Sequence, residues 1–178
     1  MSEPAPPWSV PVKLADITET GRRVTVEADA DTRAALADAL GVDSVQRAGA
    51  TFDLSPWGHD GVHVAGRVTA TVCQSCVVTL EPVVNEINED VDVDFAPEPA
   101  AVARPKSEDE APSSIEGPDP LVGDSIDVGA LATEYLILGV DPHPRKAGIA
   151  FDAPNADDVA AGSPFAALAA LKKGTVKE

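Results

Sequence analysis

The sequence predicts an α+β protein, in which an antiparallel β-sheet or partly closed barrel is flanked by two or three helices and carries a long disordered acidic loop. Three observations predict this class. Apolar and polar residues alternate through the middle of the chain, which is typical of strands with one face in water. Separate segments have helical spacing with capping residues. One further segment is rich in Pro, Ala, Ser, Glu and Asp and has few large apolar residues.

Alternation places several groups of residues in strands. The first strand is expected where Val24, Val26 and Ala28 alternate with Thr25 and Glu27. The later groups, each sharing one face, are Ala48, Ala50, Phe52 and Leu54; Val62, Val64, Val68, Ala70 and Val72; Cys76, Val78 and Leu80; and Val91, Val93 and Phe95. Residues 55–61 are rich in turn formers and should connect two of these strands.

Three helices are expected. The first spans about 32–40, with Asp31 as its cap and Gly41 as its stop. The second spans about 128–138, with Asp127 as its cap. Its apolar face should consist of Val128, Leu131, Ala132, Tyr135 and Leu138. A short third helix is expected from Ser163 to Gly174, with Pro164 in its first turn and lysines in its last.

These elements predict a single domain over residues 10–172, between a flexible N-terminus (1–9) and a flexible tail (173–178). The acidic loop, residues 97–122, interrupts this domain because it has too few apolar side chains to offset its ordering entropy. Residues 141–146, Asp-Pro-His-Pro-Arg-Lys, cannot continue a helix because their prolines lack an amide proton. We expect them to form an extended, exposed strap.

The charge is strongly negative and unevenly distributed. The net charge is −17, and residues 81–127 hold 14 acids against only Arg104 and Lys106. Nucleic-acid binding needs clustered positive charge, so this balance argues against a generic nucleic-acid binder. No apolar stretch approaches the roughly 20 residues that span a membrane. The N-terminus lacks a secretion signal, which predicts a cytoplasmic protein without a membrane partner.

The order of several motifs resembles a known family. A strand ends in Cys73-Gln74-Ser75-Cys76, followed by Leu80-Glu81-Pro82-Val83, an acidic strand and loop, Ile126-Asp127, and Glu134-Tyr135-Leu136-Ile137-Leu138. The chain resembles the YceD-type proteins, in the branch with a single C-x-x-C. The resemblance implies a role in accumulation of large-subunit ribosomal RNA, hence in ribosome biogenesis, and no known catalytic step. The residues that match the family motif are Cys73, Cys76, Pro82, Asp127, Glu134 and Leu138.

The two cysteines raise the question of a metal. Cys73 and Cys76 form half of a tetrahedral zinc site, and His59 and His63 could complete it. A redox pair is another reading, but that chemistry favours a motif that opens a helix. The favoured interpretation is a tight turn in which the cysteines pack as small apolar residues. We therefore predict no cofactor, with zinc as the alternative.

Catalytic motifs are not found. The sequence has no G-x-S-x-G, P-loop or H-E-x-x-H, which predicts a protein that is not an enzyme. Asp90, Asp92 and Asp94 occupy alternate strand positions, which is typical of a solvated face rather than a cation site.

Three function hypotheses follow. In the first, the chain binds a basic ribosomal protein or assembly factor, and the acidic region 81–127 steers the encounter. In the second, it contacts ribosomal RNA through a local basic face made of Arg145, Lys146, Lys172 and Lys173, with His143 beside it. The third is a metal-dependent hydrolase.

Overall fold

The computed structural model describes residues 6–58, 60–97 and 117–149. The chain divides into two compact units, Met1–Lys146 and Ala147–Glu178. The described helices and strands all lie in the first unit. They are β1 (Pro11–Lys13), a 3₁₀ turn (Leu14–Asp16), β2 (Arg22–Glu27), α1 (Ala30–Leu40), β3 (Ser44–Trp57), β4 (Gly61–Ser75), β5 (Pro82–Pro97), β6 (Asp119–Leu121), β7 (Ser125–Asp127) and α2 (Val128–Gly139).

One mixed sheet organises the first unit. Its five strands lie in the order β2-β3-β4-β5-β6 and are antiparallel except for the parallel pair β5–β6. A separate antiparallel ribbon joins β1 to β7. The predicted α+β class is confirmed, with two helices in the described part. The partly closed barrel is wrong, because β2 and β6 remain the two edges of an open sheet.

The core lies on one face of this sheet, where both helices pack. The apolar groups predicted to share a face in β3 and β4 are all buried: Ala48, Ala50, Phe52, Leu54, Val62, Val64, Val68, Ala70 and Val72. Between them, His63, Arg67 and Thr69 project to the other side and remain in water. We call that side the wet face. The predicted alternation is therefore confirmed through both strands, and it decides which side chains can meet.

The N-terminal cap of α1 differs from the prediction. Asp29, not Asp31, caps α1: its carboxylate accepts the Thr32 amide at 2.8 Å. Asp29 has the extended backbone of a cap, whereas Asp31 already lies in the first turn. Gly41 ends the helix in the left-handed conformation, as predicted.

The second helix begins as predicted and buries a different residue near its end. Asp127 caps α2 by accepting the amides of Gly129 and Ala130. Leu136 is fully buried, whereas Leu138 is 77% exposed. The reason is helical geometry: Leu136 continues the four-residue spacing from Val128 and Ala132, and Leu138 lies two residues beyond it, on the far side. The prediction that Leu138 belongs to the core face is wrong.

Three further corrections concern strand ends. The segment Cys76–Leu80 is a turn rather than a strand. β3 extends to Trp57, which shortens the predicted 55–61 connection, and Trp57 pairs with Gly61. Within the predicted loop 97–122, residues Asp119–Leu121 form β6 beside the end of β5.

Several predictions fall outside the described residues: the remainder of the loop at 98–116, the helix at 163–174 and the tail at 173–178. At the other terminus, Trp8 and Ser9, which the sequence assigned to a flexible segment, take part in the fold. Trp8 is buried, and the Ser9 hydroxyl donates to Asp127. No helix in the described ranges is long and apolar enough to cross a membrane.

Gly66 provides the first prediction. It occupies an inward position of β4, opposite Phe52. A Cβ atom there would lie 2.2 Å from the carbonyl oxygen of Thr51 and 2.9 Å from the Phe52 ring. Because overpacking of a filled core is costly, we expect Gly66→Ala to lower the free energy of unfolding in urea by about 1–3 kcal/mol. The control Ala65→Ser, on the wet face, should change it by less than about 0.5 kcal/mol. Equal effects would contradict this packing.

Candidate partner-binding surface

The β4–β5 turn is fastened to the segment that follows α2. The Val77 amide donates to the carbonyl oxygen of Pro144 at 2.9 Å, and the Lys146 amide donates to Cys76 Sγ at 3.5 Å. Lys146 Nζ also contacts Glu81 Oε2 at 2.8 Å. We call this arrangement the clasp; it comprises residues 76–81 and 141–146. It joins two motif regions that lie 65 to 70 residues apart in sequence.

A buried amide supports the clasp from beneath. Gln74 is only 6% exposed. Its Nε2 donates to the carbonyl oxygen of Asp141 at 2.9 Å, and its Oε1 accepts from Asn85 Nδ2 at 2.8 Å. Since a buried polar group without partners is costly, both ends of this side chain are matched. Gln74 therefore ties β4 to the clasp.

The Cys76 sulfur is the electrostatic centre of the clasp. A hydrogen bond from the Thr79 side chain, followed by those from the amides of Lys146, Thr79 and Val78, lowers the pKa of the Cys76 thiol to about 6, and burial opposes this shift. The pKa of Lys146 is raised, first by its hydrogen bond to Glu81 and then by the Glu81 charge, with a smaller effect from Cys76. The hydrogen bonds that converge on this sulfur thus tie the turn to the segment after α2.

The turn presents apolar side chains to water. Leu80 has a left-handed backbone (φ 59°), which is unusual for a residue other than glycine, and its side chain is 78% exposed. Val77 and Val84 are also exposed. Leu138, three residues before the clasp segment, adds a fourth exposed apolar group.

The two cysteines lie in different surroundings. Cys73 lies on the wet face opposite Val84, whereas Cys76 is fully buried. His63 lies ten positions before Cys73 in the same strand, which places it about 33 Å away. His63 therefore cannot share an ion with either cysteine. No group of three or more possible ligands occurs among the described residues, and His59 lies outside them.

The acids of β5 are partly neutralised across the sheet. Asp90 pairs with Arg67 at 2.7 Å, and Asp94 contacts His63 at 2.8 Å. Both pairs are directly opposite in the β4–β5 register. Glu86 accepts a hydrogen bond from Thr71 at 3.0 Å. This wet face therefore carries less free charge than the sequence suggests.

Another group of acids is not neutralised in this way. Asp92, Asp119 and Glu134 all act on Tyr135, whose pKa is raised first by burial and then by these three charges. The pKa of Glu134 is raised by burial and by Asp119. Within the described ranges, none of the three pairs with a lysine or arginine. We call Asp92, Asp119 and Glu134 the acidic cluster.

The predicted basic face is only partly described. Arg145 and His143 are exposed on the clasp segment, and Lys146 is engaged with Glu81. Lys172 and Lys173 lie outside the described residues. The remaining motif residues are separated. Pro82 begins β5 at the clasp, whereas Asp127 lies directly before α2 and Glu134 lies on it.

Sequence reasoning missed two arginines that the fold brings together. Arg33 and Arg47 line a depression of about 290 Å³ on the wet face, with Thr69 and Thr71. Glu27 and Glu86 also line it, but neither arginine forms an ion pair in the part of the chain described. The alternation in the sequence could have placed Arg47 on this face. That Arg33 lines the same depression depends on the packing of α1.

A family model described as "Large ribosomal RNA subunit accumulation protein YceD" matches residues 64–172. The match begins in β4 and includes the clasp and the acidic cluster. The searches of curated proteins and of solved structures gave no match.

The Cys76 thiol should make stability depend on pH. Its pKa is lowered on folding, so the ionised thiol stabilises the fold above the unfolded pKa, about 8.5. This contribution disappears as the pH falls through about 6. We expect the stability difference between the wild type and Cys76→Ala, measured by urea unfolding, to increase from pH 6 to pH 8.5. Parallel curves for the wild type and Cys76→Ala would contradict an ionised sulfur.

The separation of the cysteines predicts the metal content. We expect the purified chain to contain less than stoichiometric zinc, because Cys73 lies on the wet face, whereas Cys76 is fully buried in the turn. Elemental analysis before and after dialysis against zinc, with Cys73→Ser as the matched control, checks this. One zinc per chain that disappears in Cys73→Ser would show that the turn rearranges to bind metal.

Proposed function

Because this match covers more than half of the chain, the protein belongs to the YceD family of large ribosomal RNA subunit accumulation proteins, and we propose that it acts in that process by binding a basic protein partner. The resemblance inferred from the motifs is thereby confirmed. The partner is a ribosomal protein or assembly factor, since proteins that hold ribosomal RNA carry clustered positive charge. The interaction is one of binding, without a catalytic step.

The acidic cluster is the observation that supports this proposal. Burial and Asp119 already disfavour ionisation of Glu134, as its raised pKa indicates. A cation at Glu134 would be attracted by this carboxylate and by Asp119, whose charge already acts on it. Together with the net charge of −17, the cluster generates a negative potential that increases the encounter rate with cationic proteins.

The wet face gives a reason against hydrolysis. Asp94 contacts His63 Nδ1, and Ser55 lies opposite His63 in β3. A serine, a histidine and an aspartate thus lie side by side on three neighbouring strands, and these are the residue types of a catalytic triad. Ser55 and His63 form no hydrogen bond, however, so the contact that would activate the hydroxyl is missing. The wide separation of His63 from the cysteines likewise argues against a metal-dependent hydrolase.

Direct binding to ribosomal RNA is the second candidate, and one observation favours it. Arg33 and Arg47 line the same depression, together with Glu27 and Glu86, and guanidinium groups suit phosphate. The basic face suggested by the sequence has less support, because Lys146 is already paired with Glu81. The two candidate functions therefore predict that different substitutions weaken binding.

Binding experiments with purified ribosomal proteins and purified ribosomal RNA distinguish the protein partner from the RNA partner. We expect the full chain, at physiological salt, to capture ribosomal proteins in a pull-down and to leave a naked large-subunit RNA fragment unbound. The double variant Asp119→Asn with Glu134→Gln should lower the association rate several-fold at low salt. Glu19→Gln, an exposed acid elsewhere, is the control for general charge. Tight RNA binding that is lost in Arg33→Ala with Arg47→Ala would overturn the protein-partner proposal in favour of RNA.

The acidic segment can be tested separately. Residues 98–116 should be replaced by a short Gly-Ser linker, because a deletion to residue 122 would also remove β6. Weaker capture of ribosomal proteins would support steering, whereas tighter RNA binding would support the RNA candidate. Depletion of the protein in cells should reduce the large subunit in ribosome gradients, which tests the family role itself.

A further inference from the structure

An apolar groove opens beside the acidic cluster. It has a volume of about 210 Å³ and lies between β6, the end of β5 and the first half of α2. Its walls include Phe95, Pro120, Leu121, Val122, Ile126, Ala130 and Leu131, and Glu134 also lines it. We propose that this groove receives a lysine or arginine side chain of the basic partner.

The walls suit the stem of such a side chain. Lysine and arginine carry three or four methylene groups and bury them along apolar surface while the charged end stays near water. Phe95 and Leu121 are half-buried, and Leu131 is buried behind them. Val122 is 84% exposed at the edge and can be covered by the entering chain. A short side chain could not use these walls.

The carboxylates beside the groove suit the cationic end of a lysine or arginine side chain. Asp127 borders the groove, but its carboxylate is occupied by the Ser9 hydroxyl and the amides of Val10, Gly129 and Ala130. Glu134 makes no ion pair in the described residues and feels the charge of Asp119. A cation is therefore favoured at Glu134, and a phosphate group would be repelled. This complementarity selects a basic polypeptide as the occupant.

This inference rests on the proposed function and specifies where and how the basic partner is recognised. It differs from charge steering alone in one respect. Steering depends on charge and not on the length of the aliphatic stem, whereas a groove rewards each additional buried methylene by about 0.8 kcal/mol. Lysine and ornithine differ by one methylene and have the same charge.

The test uses decalysine and decaornithine peptides with the full chain, followed by calorimetry at physiological salt. We expect the wild type to bind decalysine about 4-fold more tightly, which corresponds to one buried methylene. Ala130→Leu fills the groove and should abolish this preference. Ala130→Ser, which leaves the groove open, should retain it. Thermal melting verifies that each variant is folded.

A charge variant gives an independent measurement. Glu134→Gln should weaken decalysine binding by a larger factor than Glu19→Gln, which removes the same charge away from the groove. If both variants weaken binding equally, and Ala130→Leu keeps the preference for lysine, the groove is not the site. Capture of ribosomal proteins by the wild type would then still support the proposed function. If the wild type does not capture ribosomal proteins, both the groove proposal and the proposed function are overturned.

The same assay distinguishes a partner's side chain from a segment of this chain as the occupant of the groove. The Gly-Ser replacement of residues 98–116 is compared with the full chain. If the preference for lysine emerges only after the replacement, a segment of the chain fills the groove and the proposed partner site is wrong. An unchanged preference supports an open site.

Discussion

The strict alternation of side chains along β4 is the constraint on which the rest of this structure depends. Inward residues from Val62 to Val72 form the centre of the core, and outward residues meet the acids of β5. The same two-residue period turns Gln74 inward and leaves Cys73 on the wet face, whereas Cys76 is buried in the turn after the strand. A C-x-x-C sequence that suggests one joint site is thereby divided between a structural role under the clasp and a position on the wet face.

The location of the surplus charge follows from this register. Across the sheet, Asp90 is paired with Arg67 and Asp94 contacts His63. Asp119 and Glu134, which β6 and α2 bring together, have no lysine or arginine partner among the described residues. A partner attracted by the net charge would find its strongest local complement there, next to an apolar groove. The acidic residues and the apolar groove are the reasons for our proposal that the partner is a cationic polypeptide.

The sequence predicted those parts of the fold that depend on local periodicity. Alternation identified the main strands, and Asp127 was recognised as a cap because the helical pattern begins directly after it. Asp29 was missed because two aspartates near the start of α1 could each fill that role, and only the backbone conformation distinguishes them. β6 was missed because three residues with a central proline carry no pattern. The clasp, the groove and the meeting of Arg33 with Arg47 depend on long-range packing, which periodicity does not encode.

The open sheet raises the question of how its edges avoid recruiting strands from other molecules. An exposed strand edge offers unpaired amides and carbonyl groups, and natural proteins block such templates with charges, prolines or short length. β6 has only three residues and includes Pro120, which has no amide proton to donate. β2 carries Arg22, Arg23 and Glu27, which oppose a flat apolar approach. Both edge strands therefore carry features that oppose the addition of a strand from another molecule.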